Sequence, residues 1–209
     1  MSRLNQYLVF AVLLLVSNSR LSAQFSPGQI FGINFSSTRM NIDGVKFDHA
    51  ALPGINFGTY TELKVTRDLS IQPAILFTSK GAVYKTDTTE TTFSPVYLEA
   101  PVMVMYKSNS GFFRIILGAG SYMAVGVSGY VLEQGKENRD MRFGNAMECD
   151  LKPFDFGARL CAGITLGNLT ILATFERSYI NLAPGDRPLS DIRNNVVGLT
   201  FIATTNRDR

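Results

Sequence analysis

Gly54-Ile55-Asn56-Phe57-Gly58-Thr59-Tyr60-Thr61-Glu62-Leu63-Lys64-Val65 sorts onto two faces of an extended chain: Ile55, Phe57, Thr59, Thr61 and Leu63 on one, Asn56, Gly58, Tyr60, Glu62 and Lys64 on the other. Successive side chains of a strand point to opposite faces, so a period of two marks a β-strand with one apolar face. The same split recurs in Phe31, Ile33 and Phe35 against Gly32, Asn34 and Ser36. It returns in Phe156, Ala158, Leu160, Ala162 and Ile164 against Gly157, Arg159, Cys161 and Gly163, and in Val197, Leu199 and Phe201 against Gly198 and Thr200. Eight segments of this kind are predicted.

Their connections alternate in length. The short ones are Thr66-Arg67-Asp68, Ser108-Asn109-Ser110-Gly111 and Gly167-Asn168, and the long ones cover roughly 39–53, 81–93, 130–154 and 181–194. An antiparallel meander with tight turns at one end and long loops at the other is the pattern of an up-and-down outer-membrane barrel, whose periplasmic turns are short and extracellular loops long. The sequence therefore predicts an all-β, eight-stranded antiparallel transmembrane β-barrel.

Alternation alone fits a soluble ligand-carrying barrel equally well, because both kinds put apolar and polar residues on opposite faces. The polar face decides. Gly32, Gly58, Gly118, Gly120, Gly157, Gly163 and Gly198 all lie on it. On a water-facing exterior, so many strand glycines would cost stability without packing benefit; inside a narrow lumen they make room for long neighbours. The stretch 112–132 is apolar enough to suggest a helical span, but Arg114, its glycines and its alternation favour a strand. Pro73 and Pro101 fall within strand patterns, where each removes a ladder donor, so local irregularity is expected at both.

Residues 1–23 read as a cleaved secretory signal: Arg3, an unbroken apolar run over 7–16, and Ser22-Ala23 ahead of Gln24. Residues 24–209 then form a single barrel domain. Removing Arg3 and Arg20 with the signal leaves 18 basic against 17 acidic residues, a near-neutral chain that gives no electrostatic case for nucleic-acid binding. Cys149 in the third long connection and Cys161 inside the sixth strand either form a disulfide, which needs that loop to fold into the barrel mouth, or are two unrelated small residues.

By parity Glu62, Lys64, Lys80, Glu99, Arg114, Asp155, Arg159 and Glu176 face inward. An eight-stranded barrel is barely wide enough for its own side chains, so these charges must pair there. They form a structural polar core or, alternatively, a narrow polar path or small-ligand site. His49, the single histidine, stands beside Asp48 in the first long connection with no serine near it in sequence. A lone loop histidine gives neither a nucleophile–base pair nor, with two cysteines, a metal-ligand spacing. No catalytic, metal or cofactor residue is predicted.

Residues 54–81, with Gln72-Pro73 and Ser79-Lys80-Gly81, then Tyr97-Leu98-Glu99-Ala100-Pro101, Asp155-Phe156-Gly157 and Asn181, resemble the PorT-type outer-membrane barrel family of Bacteroidetes. The resemblance covers nearly all of the mature chain. It implies an eight-stranded barrel without cofactor, in a family whose namesake serves the type IX secretion system. The chain departs from the family in having Ala74 after Gln-Pro, and in ending Thr204-Thr205-Asn206-Arg207-Asp208-Arg209 without a terminal aromatic, a role Phe201 would take. Two functions remain open. One is a non-enzymatic accessory barrel whose outer loops, rich in charges such as Glu133, Lys136, Glu137, Arg139, Asp140 and Arg142, contact secretion components, surface proteins or lipopolysaccharide. The other is a transport or ligand-binding barrel using the inward charges.

Overall fold

A computed structural model describes residues 25–42, 45–46, 49–86, 89–108, 113–185 and 190–203; the predicted signal segment lies outside them. The strands are β1 (Phe25–Ile42), β2 (Val45–Lys46), β3 (His49–Lys64), β4 (Leu69–Ser79), β5 (Ala82–Thr86), β6 (Thr89–Lys107), β7 (Arg114–Glu133), β8 (Arg139–Asp140), β9 (Phe154–Leu166), β10 (Leu169–Ser178) and β11 (Asp191–Ala203). Eight of them close a ring in the order β1-β3-β4-β6-β7-β9-β10-β11, with β1 pairing antiparallel to both β3 and β11. Closure matters energetically. An open edge would leave a row of unpaired backbone groups, each costing several kcal/mol in hydrocarbon.

Two of the three tight turns, 66–68 and 167–168, fall where the sequence places them, and the third, 108–111, lies largely outside the described residues. Gly167, at φ 58°, takes the left-handed geometry that a two-residue hairpin demands, joining Leu166 to Leu169. Thr66 Oγ1 accepts the amides of Asp68 and Leu69 in the β3–β4 turn. At the opposite end the structure corrects two of the predicted long connections. The region 39–53 is largely ladder, because β1 runs to Ile42 and β3 starts at His49, and 81–93 contains β5 and the start of β6. In these extensions stretches such as Ala50-Ala51-Leu52-Pro53 and Thr89-Glu90-Thr91-Thr92 do not alternate in polarity, so the period-two signal disappears.

Outside, Phe31, Phe57, Ile75, Val104, Leu117, Leu160 and Val197 are about half exposed. In water so broad an apolar band would be an aggregation surface; in a bilayer it faces its solvent. Phe201, Phe31, Phe57 and Phe77 are successive cross-strand partners, forming a row of rings over β11, β1, β3 and β4. The Phe57 and Phe77 rings stack with centroids 5.5 Å apart.

Both prolines interrupt pairing as expected. The β3–β4 register passes from Tyr60↔Ala74 to Leu63↔Ile71, skipping Pro73, and the β4–β6 register passes from Pro73↔Val102 to Leu76↔Glu99, skipping Pro101. Between β4 and β5 the chain breaks at Lys80 and Gly81. Gly81 has φ 138°, and a Cβ there would lie 1.9 Å from the Phe93 carbonyl oxygen. Lys80 continues the inward parity of Leu76 and Thr78 and points into the lumen.

Inward glycines accommodate large neighbours, as at Gly157 beneath the Tyr122 ring. A Cβ on Gly157 would meet the Arg177 carbonyl oxygen at 2.1 Å and Tyr122 Cε1 at 2.8 Å. Gly157→Val is therefore expected to lower stability by about 1–3 kcal/mol through overpacking, read as a lower urea midpoint for unfolding from detergent micelles. An unchanged midpoint would show that the Tyr122 contact contributes nothing.

Candidate functional site

The lumen is built in layers, and its centre is ionic. Lys80 enters from the break after β4, Glu99 from β6, Asp155 and Arg159 from the same face of β9, and Glu176 from β10. Lys80 Nζ lies 2.7 Å from Glu99 Oε2 and 3.1 Å from Glu176 Oε2; Arg159 Nη1 lies 2.9 Å from Glu99 Oε1 and 2.7 Å from Glu176 Oε1. The four groups form a closed ring of alternating charge, each carboxylate shared between both cations. Asp155 stands beside it, 3.9 Å from Lys80 Nζ, and accepts hydrogen bonds from Ser178 Oγ (2.6 Å), Asn194 Nδ2 (3.0 Å) and Tyr122 OH (3.3 Å). The ammonium also sits 4.2 Å from the centre of the Tyr122 ring.

None of the five charged side chains is more than 7% exposed. Desolvating such groups costs several kcal/mol each, so the arrangement persists only because every charge touches an opposite one or neutral donors. It is a brace across the barrel, joining four of its staves.

Toward the tight-turn end the lumen becomes apolar, which the sequence reading missed. Ile30, Tyr60, Leu76, Met103, Met105, Ile116, Cys161, Leu172 and Ile202 form one buried cluster. Chain order fixes its height: β6 runs Glu99, Met103, Met105, Lys107, and β9 runs Asp155, Arg159, Cys161, Thr165. The space left beside it is a cavity of about 30 Å³, room for a water or two.

Below this layer the barrel opens into a mouth cavity of about 320 Å³, and here the structure puts three of the eight inward-facing residues predicted above. Glu62 is buried and pairs with Lys107 at 2.6 Å, while Lys64 and Arg114 are exposed rim residues lining the cavity. Parity gives a side chain's face and not its height, which is why eight residues predicted as one network divide into a central five and a group at the mouth. Lys107, which completes the Glu62 pair, was not singled out by the sequence.

At the other end the third and fourth connections fold onto each other. Val131, Met141, Leu151, Leu182, Ala183 and Ile192 form a second buried cluster, with Phe93 and Phe143 packed against it. Lys152 N donates to the Leu182 carbonyl at 2.9 Å. Asn181 closes the fourth connection: its Oδ1 accepts the amides of Ala183 and Ile192, and its Nδ2 donates to the Ser190 carbonyl at 2.6 Å. Arg139 grips Asp150 bidentately at 2.8 and 2.7 Å, and Asp150 also accepts the Arg142 amide at 2.8 Å.

The disulfide alternative is corrected. Both cysteines are free. Cys161 lies in the apolar lumen layer, its Sγ 3.9 Å from Met105 Sδ, six residues along β9 from Asp155, or roughly 20 Å at strand rise. Cys149 belongs to the outer loops, on the far side of the charged ring. His49 is a strand residue opposite Tyr84 and not a loop residue; its side chain lies outside the described structure. Among the described residues no group of three or more His, Cys, Asp or Glu side chains is placed to hold a metal ion.

A family model described as outer membrane protein beta-barrel domain matches residues 6–184. No curated protein matches the chain. Among solved structures, Ail, the attachment invasion locus protein of Yersinia pestis, is 15% identical with a TM-score of 0.45, over 86% of this chain and 98% of that one. Neisserial surface protein A is 12% identical with a TM-score of 0.44, over 85% and 97%. The outer membrane protein OprG from Pseudomonas aeruginosa is 9% identical with a TM-score of 0.41, over 86% and 93%.

Lys80→Met leaves Glu99 and Glu176 sharing Arg159 alone beside Asp155, and is expected to cost about 3–5 kcal/mol, as for a broken buried pair. Adding Glu99→Gln should return part of that loss, and a strictly additive double-mutant cycle would show that the two do not interact. In the outer loop, burial acts against the ionised form of Asp150, but the Arg139 and Arg142 hydrogen bonds hold its pKa below the ordinary Asp value. With the folded pKa below the unfolded one, the clamp contributes stability above the unfolded value and loses it as pH falls through the folded one. An NMR titration of the Arg142 amide should thus show a midpoint below ~3.9, moving to the ordinary range in Arg139→Gln.

Proposed function

The chain belongs to the outer membrane protein beta-barrel domain family, and on that premise we propose that it is a closed, non-enzymatic barrel of the outer membrane that acts through protein partners at its outer loops. The observation that carries this reading is the sealed lumen. A charged ring of side chains at 0–7% exposure and an apolar layer beneath it occupy the lumen, while the described residues of the third and fourth connections pack on each other in a buried apolar cluster. Material that does not pass through the barrel must be handled on it.

In this reading residues 1–23 are a cleaved export signal, the tight turns face the periplasm, and the platform of the third and fourth connections faces outward among lipopolysaccharide. The narrower role is accessory service to protein secretion of the type IX kind, in the manner of the PorT-like barrels. Lys80, Glu99 and Asp155, within the motifs that carry that resemblance, are lumen residues, so the resemblance speaks for shared architecture and leaves the partner to the loops.

Purified protein in planar bilayers should give no conductance above bare lipid; stable unitary currents would overturn the sealed-lumen reading. Gentle-detergent purification from native outer membranes, followed by mass spectrometry, should recover secretion subunits absent from an unrelated barrel's control. Recovery of the barrel alone would remove the secretion role.

A further inference from the structure

The cavity at the tight-turn mouth is not used by the reading above. It holds about 320 Å³, at the small end of ligand-pocket volumes. Four cations, Lys64, Arg67, Lys107 and Arg114, line it against two carboxylates, Glu62 and Asp68, so its wall carries an excess of positive charge however the individual groups pair.

Its hydroxyls point the same way. Ser70 lines the cavity at 3% exposure, and its Oγ has no hydrogen-bond partner. Leaving such a group unmet costs about 1–3 kcal/mol, which a ligand acceptor would recover. Thr66 Oγ1 already accepts two backbone amides, so its hydroxyl hydrogen remains to be donated. Thr165 and Thr170 share one hydrogen bond of 2.7 Å, which leaves the second hydroxyl hydrogen of that pair to donate elsewhere. Lys107 spends one bond on Glu62 and keeps further donor capacity on its ammonium.

We infer that this mouth is a binding site for a phosphate group. Donors converging from β4, the β3–β4 turn, the β9–β10 hairpin and the ends of β6 and β7 suit a tetrahedral oxyanion, which presents acceptors in several directions, better than a flat carboxylate. The group arrives either on a free solute or on a lipid headgroup; the chemistry recognised is the same. The inference is independent of the partner proposed above, since it concerns the opposite end of the barrel.

The test is calorimetric titration of inorganic phosphate into the full chain in maltoside micelles and phosphate-free buffer. Saturable binding is expected, weakened about tenfold in Lys64→Gln/Arg114→Gln and about fivefold in Ser70→Ala, with strand circular dichroism retained. Lys136→Gln, which removes an exposed charge at the other end, should leave it unchanged. Absence of saturable binding, or an equal loss in Lys136→Gln, overturns the site. Repeating the titration in phosphatidylglycerol nanodiscs assigns the source: abolished binding of added phosphate means the headgroup fills the mouth, and persisting binding means a free solute does.

Discussion

A lysine ammonium at the centre of a lipid-embedded barrel is tolerable only if the protein replaces the water it has lost, and the architecture follows from how that is done. Lys80 and Arg159 each contact Glu99 and Glu176, so the charges neutralise one another around a closed circuit, and the four staves that carry them cannot move apart without separating opposite charges. The circuit needs Lys80 at the lumen axis. The lysine's parity with Leu76 and Thr78 puts it there, and the ladder breaks just after it, where Gly81 adopts a backbone conformation that side-chain-bearing residues rarely take. The circuit also needs Tyr122 to lie flat beneath the ammonium, which the absence of a side chain at Gly157 permits.

With the centre so braced, the two ends are free to differ. Toward the tight turns the lumen is filled with methionine and aliphatic side chains and then opens into a positively lined cup. Toward the long connections it is capped by a small apolar core shared between two loops, with the Arg139–Asp150 clamp at its rim. A barrel built this way presents two chemically distinct ends joined by a rigid, closed shaft.

The fold was legible because period two decides a strand's faces, and lipid outside with glycine inside reverses the usual sense of polarity. Face alone does not separate the residues: Glu62, Lys64 and Arg114 share the inner parity with Lys80 and Glu99 but line the mouth. Height comes from shear and register, which a single sequence does not display. The apolar lumen layer escaped for a related reason. Met103, Met105 and Ile116 stand among outward apolar neighbours such as Val102, Val104 and Ile115, so the alternation is blurred where both faces are hydrophobic. The extended hairpins escaped because runs such as Ala50-Ala51-Leu52-Pro53 and Thr89-Glu90-Thr91-Thr92 do not alternate in polarity.

The row Phe201–Phe31–Phe57–Phe77 crosses the seam between the last strand of the chain and the first. Three of its rings lie on strands that are contiguous early in the sequence and come together as neighbouring hairpins; the fourth arrives only with β11. The belt is thus a latch as well as a lipid contact. Its final link is made when the ends of the chain meet, so the stiffening it gives is available to the completed ring and to no partly assembled sheet.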